Sequence, residues 1–206
     1  MDYKQENCRA YDEFADAWEK KFRDHFDRNV CPRAERFAEC VKGGRVLDLG
    51  SGPGDHALFF KERGLDVLCV DLSEEMVKRC VSKGLEARKM DIEALDLPPR
   101  SFDAIWAYAS ILHVPKDRVA PVVSRLASLL KGGGLLAVGL KEGEGEEWRT
   151  NPEKYPGTMR FFSYFSDAEV RSLFEPYFDL LEFHPTDRAA NNPFLFYVFR
   201  LKVDVC

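Results

Sequence analysis

From residue 45 onward, short apolar runs alternate with amphipathic segments closed by glycine, and this alternation restricts the chain to few folds. Residues 45–50 ("RVLDLG") read as a buried strand, 56–63 as a helix closed by Gly64, and 66–72 ("DVLCVDL") as a second strand. A helix follows over 73–83, with Ser73 as N-cap and Met76, Val77 and Cys80 facing inward. Residues 85–92 read as a third strand, less apolar and nearer an edge. Residues 102–109 form a fourth, 120–131 a helix ended by Gly132 and Gly133, and 134–141 a fifth strand. Strands separated by helices are joined by right-handed crossovers into a mostly parallel sheet. The end of the chain breaks the pattern. A helix opens at a Ser166–Glu169 capping box, and two strand-like segments, 179–187 and 192–203, follow with no helix between them. The expected fold is α/β, a three-layer sandwich with a mostly parallel seven-stranded sheet and an antiparallel C-terminal strand pair.

Before this core, residues 3–26 read as one helix. Tyr11, Phe14, Ala15, Trp18, Phe22 and Phe26 recur at steps of three and four, giving a single aromatic stripe. Cys31-Pro32 interrupts it, and a short helix over 33–41 ends at Gly43-Gly44. Residues 142–165 show no clear periodicity, and an irregular connection of that length is often functional. The expected organisation is one domain over 1–206: a helical lid over 1–42 and a core over 43–206.

The 206 residues carry 30 basic and 35 acidic side chains, a formal net charge of −5. That balance argues against a general nucleic-acid or anionic-membrane binder. No run approaches the roughly 20 apolar residues of a bilayer span. The opening "MDYKQENCRAYDEF" is polar and acidic, unlike a secretory leader, so the expected location is the cytoplasm. Cys8, Cys31, Cys40, Cys69, Cys80 and Cys206 form no C-x-x-C pair and read as free thiols. His25, His56 and His184 form no metal set.

Gly50, Gly52 and Gly54 follow the first strand on alternate positions. Glycine at that density removes side chains from the turn, so that a ligand can lie against bare backbone with amide hydrogens pointing at it. Parallel sheets bind ligands beyond the carboxyl ends of their strands, where this turn falls. A dinucleotide site calls for G-x-G-x-x-G. Here the third glycine comes one residue early, and Asp55 takes the expected place. Asp48, just before the turn, would repel a pyrophosphate and suits an ammonium group. Asp71 ends the second strand, where a carboxylate can accept both hydroxyls of a ribose. Leu72 and Met76 can cover an adenine face. Asp91 ends the third strand, where it can accept an adenine amino group, with the Ile92 amide near a ring nitrogen. Three acids at three successive strand ends fit S-adenosylmethionine.

With these motifs, "VLDLGSGPG", "VDLSEEMV", "MDIEALDLP", "FDAIWAYASILHVP" and "LLKGGGLLAVGLKEGEGE", the chain resembles a class I S-adenosylmethionine-dependent methyltransferase over residues 46–203. The resemblance implies the Rossmann-like fold and a cofactor site made of Asp48, Gly50, Ser51, Gly52, Gly54, Asp71, Asp91 and Ile92. It also implies contact between residues 107–110, with Ala107 and Tyr108, and the methionyl part. The N-terminal helix would lid the cofactor through Tyr11, Phe14 and Trp18. The expected function is methyl transfer to a small molecule. A protein or peptide methyltransferase, a non-catalytic S-adenosylmethionine-binding protein and an NAD-dependent oxidoreductase are the alternatives.

On the acceptor side, His113 is the candidate general base, since an ordinary histidine titrates near neutrality. The acids Glu142, Glu144, Glu146 and Glu147, with Trp148, would suit a cationic acceptor. Arg160 with Tyr164 would suit an acceptor carboxylate.

Overall fold

The computed structural model describes residues 1–185 and 193–203. Cys206, and the adjoining ends of the two expected C-terminal strands, fall outside the described residues. Helices α1 (Tyr3–Glu13), α2 (Ala15–His25) and α3 (Cys31–Cys40) precede the core. The core begins β1 (Arg45–Leu49), α4 (Asp55–Glu62), β2 (Asp66–Asp71), α5 (Glu74–Ser82) and β3 (Glu86–Lys89). It continues with β4 (Phe102–Tyr108), α6 (Lys116–Leu129), β5 (Leu130–Lys141), β6 (Glu146–Asn151) and β7 (Tyr155–Ser163), and ends with α7 (Asp167–Phe174), β8 (Phe178–Pro185) and β9 (Phe194–Leu201).

The main sheet has seven strands in the order β3-β2-β1-β4-β5-β9-β8, with β3 at one edge as its polar sequence implied. The first five strands pair in parallel, and β9 runs antiparallel to β5 and β8. Every residue of β1 from Val46 to Leu49 is buried, because helices cover both faces of the sheet. On one face, Leu47, Ile105, Leu136 and Phe199 meet α6 and α7. On the other, Val46, Ala104 and Trp106 meet Phe37 of α3 and Phe60 of α4. The sheet order reverses at β1 and β4, which opens a crevice at the carboxyl ends of these strands.

Three expectations are corrected. The N-terminal helix breaks at Phe14 (φ −117°, ψ 33°) and passes through one wide turn, Phe26–Val30, before α3 begins at Cys31. The aromatic stripe survives because the 3.6-residue rhythm carries across the break: Trp18 lies 5.3 Å from Tyr11 and 5.6 Å from Phe22, ring to ring. Gly132 and Gly133 do not end α6. They lie in β5, where its pairing with β4 slips between Phe102 and Ala104.

The segment 142–165 is not irregular. Its β6 and β7 form a separate antiparallel hairpin. All of β6 is exposed, so it has no apolar alternation to announce it. The hairpin is clamped to α1, where the Phe161 amide donates to Asn7 Oδ1 at 2.8 Å and Arg9 donates to the Gly157 carbonyl at 3.0 Å. It also reaches α2, with Tyr155 stacked on Trp18 at 4.1 Å.

Candidate active site

The ends of β1, β2, β4 and β5, the loop after β3, helices α1 and α2, and β7 enclose one cavity of about 530 Å³. Gly50, Ser51, Gly52, Asp71, Leu72, Met76, Asp91, Ile92, Tyr108, Tyr11, Trp18 and His113 all line it. Asp48, Gly54 and Ala107 stand behind the wall. Gly54 caps α4 with φ 86°, and its α-carbon faces Leu85 and Cys80, so it allows close helix–strand packing. Ala107 is buried in β4, one residue behind Tyr108.

Gly50 (φ 66°) and Gly52 (φ 53°) take the left-handed backbone that the tight turn demands. A methyl group on Gly50 would collide with the Ser110 side chain. The amides of this turn do not face the cavity, contrary to expectation. Gly50 and Ser51 donate to the Val70 carbonyl at 2.8 and 3.1 Å, Gly52 to Asp71 at 2.9 Å, and Gly54 to the Ser51 carbonyl at 3.1 Å. With its amides closed on the protein, the turn offers no nest for a pyrophosphate.

Asp48 is 1% exposed and accepts the Ala57 amide, while its Oδ2 has no partner. Burial, with the charge of Asp71 beside it, pushes this carboxyl up to about 8. A buried carboxylate oxygen without a donor suits a cation above it. Ser110 Oγ, on the wall, is also buried without a partner. The neighbouring Ala109 holds φ 59°, an uncommon conformation for alanine that turns the chain sharply after β4.

Asp71 accepts the Gly52 amide on one oxygen and the Ser73 amide on the other, each at 2.9 Å. The Leu72 amide also bears on this carboxylate, and since a carboxylate has about four acceptor sites, capacity for a further donor remains. Asp91 is more occupied. It accepts the Glu93 amide at 2.9 Å and pairs with Lys4 at 2.7 Å. Lys4 also pairs with Glu93, which bonds the Tyr3 hydroxyl. The first turn of α1 is thus tied to the loop after β3, and Asp12 further along α1 accepts from Ser73 at 2.5 Å.

His113 is fully ordered by its neighbours. Its Nδ1 donates to the Phe161 carbonyl at 2.7 Å, which leaves Nε2 to accept from the Tyr11 hydroxyl at 2.7 Å. Tyr11 in turn accepts from Arg160 at 3.2 Å. Burial pushes His113 down to about 3, so it stays neutral, against the expectation of a group poised near neutrality. Burial pushes the Tyr11 phenol up, opposed by Arg160.

The expected acceptor residues separate. Glu144, Glu146, Glu147 and Tyr164 line a different, open depression of about 400 Å³ on the hairpin, with Arg149. There Tyr164 bonds Glu147 at 2.5 Å, and Glu147 pairs with Arg149 at 2.8 Å. Trp148 is exposed and meets Phe161 at 5.4 Å. Arg160 alone of that set faces the cavity. The sequence reading missed Lys21, Lys141, Asn7 and Phe194, which also line it. Lys141 is the last residue of β5, and the rule that ligands sit at strand carboxyl ends was the available signal.

Residues 46–134 match the methyltransferase domain family. The malonyl-[acyl-carrier protein] O-methyltransferase of Enterobacter lignolyticus is 31% identical over 63% of this chain, and the chain spans 51% of that protein's length. The chain likewise spans 51% of the length of a phosphatidylethanolamine N-methyltransferase of Cereibacter sphaeroides and 43% of that of a ubiquinone biosynthesis O-methyltransferase of Idiomarina loihiensis. The fold is shared with an S-adenosylmethionine-dependent methyltransferase of Methanosarcina mazei, at a TM-score of 0.72 and 16% identity over 79% of this chain and 94% of that one. It is also shared with the 1,6-didemethyltoxoflavin-N1-methyltransferase of Burkholderia thailandensis, solved with S-adenosylhomocysteine, at 0.62 and 23% over 92% and 89%. The glycine turn and the acids at successive strand ends lie within the residues 46–134 that match a methyltransferase domain, and the fold around them is that of S-adenosylmethionine-dependent methyltransferases.

Proposed function

We propose that this chain is a cytoplasmic S-adenosylmethionine-dependent methyltransferase acting on a small-molecule acceptor, with residues 1–42 as a helical lid on the core of residues 43–206. The observation that carries the reading is the buried, donor-less oxygen of Asp48 under a glycine turn whose amides are all engaged. That combination favours a cationic ligand end over a pyrophosphate, and so disfavours NAD. Among the described residues no helix is long and apolar enough to cross a membrane.

The bound cofactor would supply an electrophilic methyl group on a sulfonium. The chain's own residues bind, orient and dry the site. Asp71 holds the ribose hydroxyls with its remaining acceptor capacity. Leu72, Met76 and Ile92 flank the adenine, and Asp91, loosened from Lys4, takes its amino group. Ser51, Gly50 and Gly52 let the ligand lie against backbone, and Asp48 favours its ammonium group through the wall. Gly54 and Ala107 serve by packing. Tyr108 and Ser110 border the methionyl end. Trp18 and Tyr11 close the cavity from α1 and α2, excluding water. His113 acts as a positioning residue that holds the Tyr11 hydroxyl toward the acceptor side.

Calorimetry with S-adenosylhomocysteine and with NAD tests the reading. Micromolar binding of the first and none of the second is expected. NAD binding alone, or neither ligand binding folded protein, would end it.

A further inference from the structure

The cavity is bipolar. Its acids Asp71 and Asp91 stand at the carboxyl ends of β2 and β3, with Lys4 paired to Asp91, while Lys141 ends β5, Arg160 stands in β7 and Lys21 on α2. β2 and β5 stand three places apart in the sheet, roughly 14 Å at the usual strand spacing. Lys141 Nζ lies 4.0 Å from the centre of the Phe162 ring, and the Arg160 guanidinium lies 4.8 Å from the same ring. Arg160 also lies 4.2 Å from the centre of Trp18, with Lys21 at 4.8 Å from that ring at the cavity mouth. Two aromatic rings thus gather three positive side chains. Among the described residues none of the three has a carboxylate in ion-pair contact, although 35 acids are available in the chain. The closest acidic influence on Lys141 comes from Glu147, which is engaged with Tyr164 and Arg149. Asp55, also on the wall, pairs with Lys83 at 3.0 Å.

Unpaired cations this close repel one another and are costly to desolvate, so the fold is stressed here in the absence of an anion. The strain is visible in the proton affinities. Burial lowers Lys21 and, with Arg149, Arg160 and Lys21 nearby, pushes Lys141 down to about 8. Tyr108 stacks on Phe194 at 5.6 Å and adds a further flat aromatic face to the wall, beside His25.

We propose that the methyl acceptor is a small planar molecule carrying a carboxylate, which Lys141 and Arg160 bind between the Phe162 and Trp18 rings, with Lys21 closing the mouth. This rests on the methyltransferase reading of the opposite half. An anion there would replace the missing counter-charges, and Arg160 would present its fork to the carboxylate while keeping its bond to Tyr11. The hairpin's acids Glu144, Glu146 and Glu147 line its separate open depression and not the cavity, so selection inside falls to the three cations.

The test separates the two readings. S-adenosylhomocysteine affinity is measured first for the wild type, Lys141→Met, Arg160→Met and Arg160→Lys, and all four are expected to agree within threefold. Small planar carboxylates, from benzoate and phthalate to hydroxybenzoates, are then titrated into the saturated protein, each beside its amide and its amine. At least one carboxylate should bind tenfold or more tightly than both counterparts. Lys141→Met and Arg160→Met should each weaken it tenfold or more, and Arg160→Lys should recover part of that loss. Amines binding best, no carboxylate outdoing its amide, or carboxylate binding that survives both methionine variants overturns the proposal. Wild-type protein that fails to bind S-adenosylhomocysteine strikes the methyltransferase reading instead, and the panel is then scored on the free protein by the same criterion.

Discussion

Asp71 accepts the amide hydrogen of Gly52 at 2.9 Å, so the last residue of β2 braces the turn that follows β1. The same carboxylate holds the Ser73 amide at the start of α5. Sequence reading gave Asp71 one task, toward a ribose. The structure adds a second, in which its charge fixes the backbone on which the ligand rests.

Asp71→Ala is therefore expected to reduce S-adenosylhomocysteine affinity by about 30-fold or more, near 2 kcal/mol, from hydroxyls left unpaired and a loosened turn. Asp71→Asn keeps acceptor capacity on one oxygen and should lose less affinity, with a smaller fall in Tm. Calorimetry and thermal unfolding on the pair check both statements. Equal affinities for wild type and alanine variant would remove Asp71 from the site.

Much of the fold and half of the site were legible, for identifiable reasons. β1, β2 and β4 announce themselves because strands covered on both faces read as unbroken apolar runs, and Gly50 and Asp71 punctuate their ends. β6 was invisible because Glu146, Glu147 and Arg149 all face solvent and only backbone pairing to β7 makes it a strand. Pro156 and Gly157 disguised β7. The break at Phe14 was hidden by a periodicity that runs straight through it. Lys141 was passed over because a lysine after "GLLAVGL" reads as an ordinary solvated strand end, while the fold turns it inward onto Phe162. The engagement of the turn's amides depends on Val70 and Asp71, distant in sequence, so no local pattern revealed it.

Gly50→Ala is expected to destabilise the protein by about 2–4 kcal/mol, from the strain of a positive φ and the collision with Ser110. Gly133 has a similar φ of 73° with open space around it, so Gly133→Ala should cost only about 1 kcal/mol. Denaturant melts of the two variants isolate the contribution of close approach. Equal losses would show that Ser110 yields freely.

Asp48 sets an unusual pH dependence of stability. Its carboxyl is raised from 3.8 to about 8, so the folded protein holds a proton that the unfolded chain has released across that window. Stability from this group therefore falls as pH rises from about 4 to about 8. Asp48→Asn keeps an acceptor for the Ala57 amide and removes the titration. The variant should match the wild type near pH 4 and exceed it by about 2–4 kcal/mol at pH 8, both free of cofactor. It should also bind S-adenosylhomocysteine more weakly, because the buried negative charge is gone. Parallel melting curves at the two pH values would exclude the buried carboxylate as the source.

The Tyr11–His113 pair makes a kinetic prediction of the opposite kind. A histidine held near pH 3 by burial, with Nδ1 on a carbonyl and Nε2 on a phenol, does not titrate between pH 5 and 8. Turnover, once an acceptor is in hand, should show no acid limb near 6.5, the value of an unperturbed histidine. Tyr11→Phe removes the hydroxyl that joins His113 to Arg160, and should lower kcat by about 10- to 100-fold with S-adenosylhomocysteine affinity unchanged. His113→Ala loses the anchor of that hydroxyl, so it should resemble Tyr11→Phe, and the double variant should be no worse than either single one. An acid limb at 6.5 that disappears in His113→Ala would mean that the imidazole itself takes the acceptor's proton, and additive losses in the double variant would mean that the two residues act separately.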